Sequence, residues 1–360
     1  MARLDSFLRL VAEQQASDLH FHAGKVPLIR HDGDLVPVPF RVLSDNEASR
    51  YIQEILTPPQ LETLQAENEI DFMYEIEGTG RFRANVFRQQ HGLGAVFRII
   101  PYRIPEIEDL MLPHGVRKLS QLNNGLILVT GPTGSGKTTT LAAIISEINR
   151  TSQRHIITIE DPIEFVHKSE QCVVTQRQVG EHAESFASAL RSAVREAPDV
   201  VVVGEMRDLE TITLALTAAE TGSLVFGTLH TASAAKSIDR IIDMMPDDSR
   251  EQMRAILAGL LKGVVAQNLC KRANGDGRIA LIELLLNNYA VSNMIREGKI
   301  NQIESHLQSA SNDPASGMQS NDACITRYLI GGLITLEDAL PFANNPDQVR
   351  KAVAAAGEEA

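Results

Sequence analysis

The chain contains few cysteines, and they lie far apart. Its 360 residues include three, Cys172, Cys270 and Cys324, and no two of them form a Cys-x-x-Cys pair. Closely paired cysteines are typical of structural zinc sites and of the disulfide frameworks of small secreted domains. The sequence therefore supports neither kind of site, and it is compatible with a reducing compartment.

Long apolar runs are also missing. No stretch approaches the roughly 18 apolar residues that would span a bilayer. The first residues, Met1-Ala-Arg-Leu-Asp-Ser6, lack the apolar segment of a signal peptide. We therefore expect a soluble, cytoplasmic protein without a transmembrane segment.

Basic residues are not in excess. The chain has 34 Lys and Arg against 46 Asp and Glu, which gives a formal net charge of −12. Sequence-independent binding of nucleic acid needs a basic surface that neutralises phosphates. The acidic balance predicts no nucleic-acid partner, although it leaves room for a local basic channel.

The length favours two domains rather than one. Residues 1–100 mix short helices and strands, whereas helices and apolar strands alternate from about residue 110. Two prolines four residues apart, Pro101 and Pro105, predict an extended connection. The expected segments are a first domain at 1–100, a linker at 101–112, a second domain at 113–345 and a frayed tail at 346–360.

The first domain is predicted to combine helix and strand. Four apolar side chains recur at helical spacing near the N-terminus, namely Leu4, Phe7, Leu8 and Val11. Alternating residues predict strands at 17–22 and 26–30, with a turn at His31–Asp34.

Residues 81–100 predict a hairpin that turns through Gln89–Gly92. If paired residues have numbers that sum to 181, one face is apolar and Arg83 lies opposite Arg98 on the other face. Like charges directly across a strand pair are destabilising. The pair therefore suggests a shared anion such as a triphosphate, and solvated or individually paired arginines remain the alternative.

The second domain is predicted to be an α/β domain. Apolar strands are expected at 126–130, 155–160, 200–204 and 224–228, with helices between them. This alternation is typical of a mainly parallel sheet with helices on its faces. Residues 232–300 are predicted to be largely helical and residues 305–325 to form a loop.

The most informative motif is Gly131-Pro-Thr-Gly-Ser-Gly-Lys-Thr138, which fits the phosphate-binding pattern G-x-x-x-x-G-K-[ST] without a mismatch. A strand precedes it and a helix follows it, so the positive end of the helix dipole faces the phosphates. Lys137 is expected to reach the β- and γ-phosphates and the Thr138 hydroxyl to hold Mg²⁺. The residues predicted to bind ATP or GTP are Gly131, Pro132, Thr133, Gly134, Ser135, Gly136, Lys137, Thr138 and Thr139.

Three carboxylates, Glu160, Asp161 and Glu164, follow the strand at 155–160. An acidic turn of this kind is more often simply solvated. Beside a phosphate loop, however, carboxylates can orient a water molecule or Mg²⁺, and we favour that interpretation here.

The next two strands also lead to polar side chains. Glu205 is the candidate for holding Mg²⁺, directly or through water, because Gly204 stands where many such proteins have aspartate. His230 follows the strand at 224–228. A lone histidine is more often structural, but at this strand end it could sense the γ-phosphate or hold a neighbouring subunit.

With these motifs in view, the chain resembles the secretion-ATPase superfamily of type II secretion and type IV pili over about residues 5–345. The stretches that carry the resemblance are Ile156–Glu164 (the Asp box), Val203–Glu210 (the Walker B region), Ala219–Thr231 (the His box) and Leu333–Ala339.

The resemblance implies a homohexamer in which each subunit has an N-terminal PAS-like α+β domain and a RecA-like P-loop ATPase domain, with ATP bound between the two. It implies that Glu164 activates water and that Glu205 lies near Mg²⁺. It also implies that Arg83 and Arg98 reach the phosphates and that His230 is the box histidine.

Within this superfamily, the chain is most similar to the pilus retraction ATPases. Extension and secretion ATPases typically carry an extra N-terminal domain and a four-cysteine insert, and neither is found here. The retraction motif A-I-R-N-L-I-R-E reads Ala290-Val-Ser-Asn-Met-Ile-Arg-Glu297, with Ser292 replacing an arginine. Because the motif is linked to retraction rather than hydrolysis, the substitution puts efficient retraction in question.

We therefore expect a hexameric, Mg²⁺-dependent ATP hydrolase that drives pilus retraction. It is expected at the cytoplasmic side of the inner membrane, at the pilus base, with a membrane platform protein as its partner. The alternatives are an accessory motor that works beside a paralogous pilus ATPase, an extension or secretion motor, and an assembly factor that binds nucleotide without hydrolysing it.

Overall fold

The computed structural model describes residues 2–31, 34–100, 103–275 and 277–358. The chain divides into two compact units, Met1–Arg103 and Ile104–Ala360. The predicted turn at His31–Asp34 and the predicted linker at 101–112 lie partly outside the described residues. Within the described ranges, no helix combines the length and the apolar character that crossing a membrane requires.

The N-terminal unit contains a six-stranded antiparallel sheet in the order β3-β2-β1-β6-β5-β4. Its strands are β1 (Asp18–His22), β2 (Leu28–His31), β3 (Asp34–Pro37), β4 (Glu69–Ile76), β5 (Gly80–Gln89) and β6 (Gly92–Ile100). Its helices are α1 (Asp5–Glu13), α2 (Asp45–Gln53) and α3 (Pro58–Glu67). The apolar residues predicted to form one face of the first helix, Leu4, Phe7, Leu8 and Val11, are all buried.

The predicted hairpin is confirmed, including its register. Strands β5 and β6 pair Phe82 with Ile99 and Ala84 with Phe97, so each pair of numbers sums to 181. Arg83 lies directly opposite Arg98. The predicted turn and the alternation of apolar and polar residues together account for this register, because a slip by one residue would expose the apolar face.

The second unit is built on a seven-stranded sheet in the order β13-β12-β7-β11-β10-β8-β9. The strands are β7 (Gly125–Thr130), β8 (His155–Glu160), β9 (Val173–Gln178), β10 (Val200–Val203), β11 (Leu224–Leu229), β12 (Leu261–Lys271) and β13 (Arg278–Leu286). All neighbouring strands are parallel except β12 and β13. The four predicted strands are confirmed, so the carboxyl ends of β7, β8, β10 and β11 meet at one edge.

Helices cover both faces of this sheet. They are α4 (His114–Ser120), α5 (Lys137–Thr151), α6 (Phe186–Ala193), α7 (Leu209–Glu220), α8 (Ala234–Asp243), α9 (Arg250–Leu260), α10 (Tyr289–Arg296), α11 (Asn301–Ala310), α12 (Asn321–Ile330), α13 (Leu336–Ala339) and α14 (Pro346–Glu358). Leu126 and Leu128 of β7 belong to one apolar core, and Ile127 and Val129 belong to the core on the opposite face. Burial on both faces explains the continuous apolar composition of the strands.

The prediction that residues 232–300 are largely helical was wrong for 261–286, which form the antiparallel strands β12 and β13. These strands are apolar on both faces, so their sequence lacks the alternation that would distinguish a strand from a buried helix. The predicted loop at 305–325 was also wrong, because it includes parts of α11 and α12.

Two predictions about connecting and terminal segments also need correction. In the predicted linker, Ile107 and Leu112 are buried in a core of the second unit. The predicted frayed tail forms α14 up to Glu358, and Val349 of this helix is buried. The alanine-rich composition of the tail favours helix, and burial of Val349 anchors it.

Candidate functional site

The phosphate loop follows the interior strand β7, and its glycines occupy conformations that other residues rarely adopt. Gly131 has φ +148°, and a Cβ at this position would lie 2.2 Å from the carbonyl oxygen of Gln267. Gly136 has φ +87° and immediately precedes α5, which begins at Lys137. The loop thus delivers the N-terminus of a 15-residue helix to the edge of the sheet, where backbone N–H groups favour an anion.

The Lys137 ammonium lies within this loop. Its Nζ donates to the carbonyl oxygens of Gly131, at 2.8 Å, and Pro132, at 3.1 Å. Burial lowers the pKa of Lys137, and the nearby charge of Glu205 opposes that shift. A partly desolvated cation interacts more strongly with a phosphate than one in bulk water.

Glu205 is held by two cationic or potentially cationic side chains. Arg207 makes two contacts of 2.6 Å with its carboxylate, one to each oxygen. His230 Nε2 lies 3.1 Å from Glu205 Oε1. The hydrogen bond from Arg207 is the main reason that the pKa of Glu205 is lowered, so Glu205 is ionised.

His230 also approaches the phosphate loop. Its Nδ1 lies 3.4 Å from Oγ1 of Thr133. One imidazole therefore contacts the loop through one nitrogen and Glu205 through the other. The three motifs that contain Thr133, Glu205 and His230, which lie far apart in the sequence, meet at this edge of the sheet.

The donor atoms here suit Mg²⁺, which prefers oxygen ligands and typically takes few from the protein when a phosphate supplies others. Thr138 presents an exposed hydroxyl in the first turn of α5. Both oxygens of Glu205 already accept from Arg207, so Glu205 is suited to hold the ion through a water molecule. In the described ranges, no three His, Cys, Asp or Glu side chains form a metal-binding group on their own.

The three carboxylates after β8 have different surroundings. Oε1 of Glu160 accepts from Thr158 Oγ1 at 2.6 Å and from Gln176 Nε2 at 3.0 Å. Burial raises the pKa of Glu160, and the charge of nearby Glu164 raises it further. Glu160 is thus engaged by its own sheet, whereas Asp161 is exposed and lies close enough to raise the pKa of Arg207.

Arg83 and Arg98 belong to the N-terminal unit. Arg98 Nε donates to Asp18 Oδ1 at 2.8 Å, and the Asp18 carboxylate is almost fully buried. Arg30 lies 3.7 Å from the other oxygen of Asp18. The buried carboxylate therefore offsets part of the repulsion between the facing arginines.

Sequence reasoning missed Arg207 and Gln267, which contact predicted site residues of the second unit. Arg207 follows Glu205 by two positions, and its basic side chain beside a candidate metal ligand was an available signal. Gln267 donates from Nε2 to the carbonyl oxygen of Ser135 in the loop at 2.6 Å. No sequence signal pointed to Gln267, because its strand was predicted to be a helix.

Comparison with protein families identifies one match that covers most of the chain. The family described as "Type II/IV secretion system protein" matches residues 4–327. This range includes the phosphate loop, the carboxylates after β8 and the cluster around Glu205.

Two curated relatives and one solved structure are similar over nearly the whole chain. The type IV pilus retraction ATPase PilT of Pseudomonas aeruginosa is 46% identical over 96% of this chain and 99% of its own length. A twitching motility protein of Neisseria gonorrhoeae is 47% identical over 90% of this chain and 86% of its own length. A crystal structure of the pilus retraction motor PilT with bound ADP superposes with a TM-score of 0.89, at 43% identity, covering 98% and 99% of the two chains.

Proposed function

Because this chain belongs to the Type II/IV secretion system protein family, we propose that it is an ATP hydrolase that drives the retraction of type IV pili. The observation that carries the proposal is the contact of His230 with both Thr133 of the phosphate loop and Glu205. That cluster unites the nucleotide-binding motif with the candidate metal ligand. The similarity to a pilus retraction ATPase over 96% of the chain supports the biological role.

In the proposed reaction, the backbone N–H groups of residues 131–138 and the Lys137 ammonium bind the phosphates. Thr138 and a water held by Glu205 would bind Mg²⁺, which neutralises charge on the phosphates. Glu164 orients and deprotonates the attacking water. Arg83 and Arg98 stabilise the negative charge that develops on the transferred phosphoryl group.

Family membership also supports a proposal about assembly and location. The working form is a homohexamer at the cytoplasmic face of the inner membrane, at the base of the pilus. Hydrolysis and nucleotide exchange would drive a conformational change that the hexamer passes to a membrane platform protein.

A second candidate function is an accessory retraction ATPase that works beside a paralogous motor. The observation behind it is Ser292, which stands in place of an arginine in the retraction motif. Ser292 Oγ donates to the carbonyl oxygen of Ala258 at 2.9 Å and lies 3.0 Å from Asn287 Oδ1. Ser292 thus links α10 to the last turn of α9.

Phosphate release from Mg-ATP tests the proposed enzyme activity, and Glu164→Gln tests its mechanism. The amide cannot act as a base, so we expect turnover to fall by at least about 100-fold. ATP binding should be retained, because the phosphate loop is unchanged. Glu170→Gln, at an exposed glutamate six residues further along the chain, is the matched control and should keep turnover within a few-fold of wild type. Near-normal turnover in Glu164→Gln would remove Glu164 from this role.

A further inference from the structure

Strand β12 extends past the end of β7 and continues alongside the phosphate loop. The last paired residues of the two parallel strands are Ala266 and Thr130, yet β12 runs on to Lys271. Gln267, the first residue of β12 beyond this pairing, is therefore level with the start of the loop. Its side chain is 1% exposed.

Gln267 contacts the loop at both ends of the glycine-rich turn. Its carbonyl oxygen is so close to Gly131 that no side chain could be accommodated there, since a Cβ would lie 2.2 Å away. Its Nε2 donates to the carbonyl oxygen of Ser135 at 2.6 Å and would lie 3.2 Å from a Cβ at Gly136. Gln267 thus lies against both of these glycines.

The oxygen of the Gln267 side-chain amide, unlike its nitrogen, is not stabilised by a hydrogen bond within the part of the chain that the structure describes. Among the residues that the structure describes, the buried Oε1 of Gln267 has no hydrogen-bond partner, and neither has Oγ of Ser135. A buried polar atom without a partner destabilises a fold, and an apolar side chain of similar size would avoid that penalty. The amide at position 267 therefore contributes to the phosphate loop through its Nε2 donor alone.

We infer that Gln267 is a positioning residue for nucleotide binding, which holds the phosphate loop through Ser135 so that its N–H groups converge on the phosphates. This inference rests on the proposed function, since it assumes that the loop binds ATP and ADP. Gln267 acts through the loop backbone. Its loss should therefore weaken binding and raise KM more than it lowers kcat.

The chain supplies a matched control for this role. Gln319 is also buried, and its Nε2 donates to the backbone carbonyl of Ile282 at 2.7 Å. Gln319 contacts β13 rather than the phosphate loop. Gln267→Met and Gln319→Met each remove one buried amide-to-carbonyl hydrogen bond with little change in side-chain volume, so a purely structural role predicts the same result for both.

The experiment is calorimetric titration of the full-length chain with Mg-ADP, combined with ATPase kinetics. We expect Gln267→Met to weaken ADP binding by about tenfold and to raise KM for ATP by a similar factor. Gln319→Met should keep both values within twofold of wild type. Equal affinities in folded Gln267→Met and wild type would overturn the inference, and so would equal losses in the two methionine variants.

Two further measurements keep the test decisive. If Gln267→Met does not fold, Gln267→Leu replaces it, because leucine is apolar, of similar size and unable to donate to Ser135. Faster hydrogen exchange at residues 131–138 in Gln267→Leu supports the inference, and unchanged exchange there contradicts it. If wild type itself does not bind Mg-ADP, the proposed function fails, which distinguishes that outcome from a failure of the inference about Gln267.

Discussion

His230 Nε2 lies 3.1 Å from Glu205 Oε1, and the two residues follow the adjacent strands β11 and β10. The histidine therefore shares Oε1 of this carboxylate with Arg207, which also contacts Oε2. Second partners of this kind orient a metal-associated ligand and are typically worth a factor of 10 to 100 in activity.

We expect His230→Ala to lower kcat by at least about tenfold, because Glu205 loses the contact that links it to the phosphate loop. ADP affinity should change less than twofold. Phosphate release and ADP titration measure the two effects. His155→Ala is the control. His155 begins β8 and so lies at the edge of the sheet opposite to the site, and its replacement should leave kcat unchanged. A kcat within twofold of wild type in His230→Ala would contradict the prediction.

Arg98→Ala is expected to affect both activity and stability. Turnover should fall by at least about tenfold if Arg98 stabilises charge on the phosphates. The free energy of unfolding should fall by about 1 kcal/mol, because the buried Asp18 loses its nearest cationic partner. Arg83→Ala should lower turnover as well. Arg88→Ala, at an exposed arginine of the same hairpin, is the control for both measurements. If Arg83→Ala and Arg98→Ala turn over ATP as fast as Arg88→Ala does, Arg83 and Arg98 do not stabilise charge on the phosphates.

Glu283 predicts a pH dependence of stability. Burial raises its pKa to about 7, and the backbone N–H of Ala234 donates to its Oε1 at 2.7 Å. Between the pKa of the unfolded chain, about 4.3, and about 7, the folded protein binds a proton that the unfolded chain has released. Its contribution to stability is therefore greatest below this range and falls as the pH rises to about 7.

Glu283→Gln keeps an oxygen that accepts from Ala234 but cannot ionise. We expect the variant to be more stable than wild type at pH 8, by on the order of 1 to 3 kcal/mol, and to show little difference at pH 4.5. Denaturant unfolding at the two pH values measures this. If the free energy of unfolding changes equally at both pH values, the charge of Glu283 is not the cause of the difference between the variant and wild type.

Ser292→Arg tests the altered retraction motif. ATP hydrolysis should stay within twofold of wild type, whereas pilus retraction should become faster in a deletion strain that carries this gene alone. Loss of the hydrogen bond to Ala258 should lower the free energy of unfolding by about 1 kcal/mol. Ser292→Ala loses the same bond without adding a guanidinium and should not accelerate retraction. An unchanged retraction rate in Ser292→Arg would show that residue 292 does not contribute to the role of the motif in retraction.

The sequence predicted those parts of the fold where a local pattern has one interpretation. The hairpin register around Arg83 followed from the predicted turn at Gln89–Gly92 together with alternation, which places Phe82 and Ala84 on the buried face. The strands before the phosphate loop and before Glu205 were short apolar runs next to recognisable motifs. In each case the local sequence and the tertiary environment favour the same structure.

Residues 261–286 show where sequence reasoning failed. Val264 and Val265 lie between helices in a sheet that is buried on both faces, so nothing in their pattern separates a strand from a helix. The error also concealed Gln267, whose role depends on its position beside a loop more than 130 residues earlier in the chain. Such a contact depends on the order of the strands in the sheet, and local residue patterns do not reveal that order.

The strand before the phosphate loop, β7, lies between β11 and β12, and these two strands connect to different parts of the second unit. On one side, β11 ends at Leu229, His230 follows it, and the chain then enters α8. On the other side, β12 passes the loop at Gln267, returns as β13 and reaches Asn287, which donates to the carbonyl oxygens of Ala258 and Leu261 just before the 290–297 motif. The loop is therefore connected through two neighbouring strands to two parts of the second unit, the cluster around Glu205 and the segment that precedes the 290–297 motif.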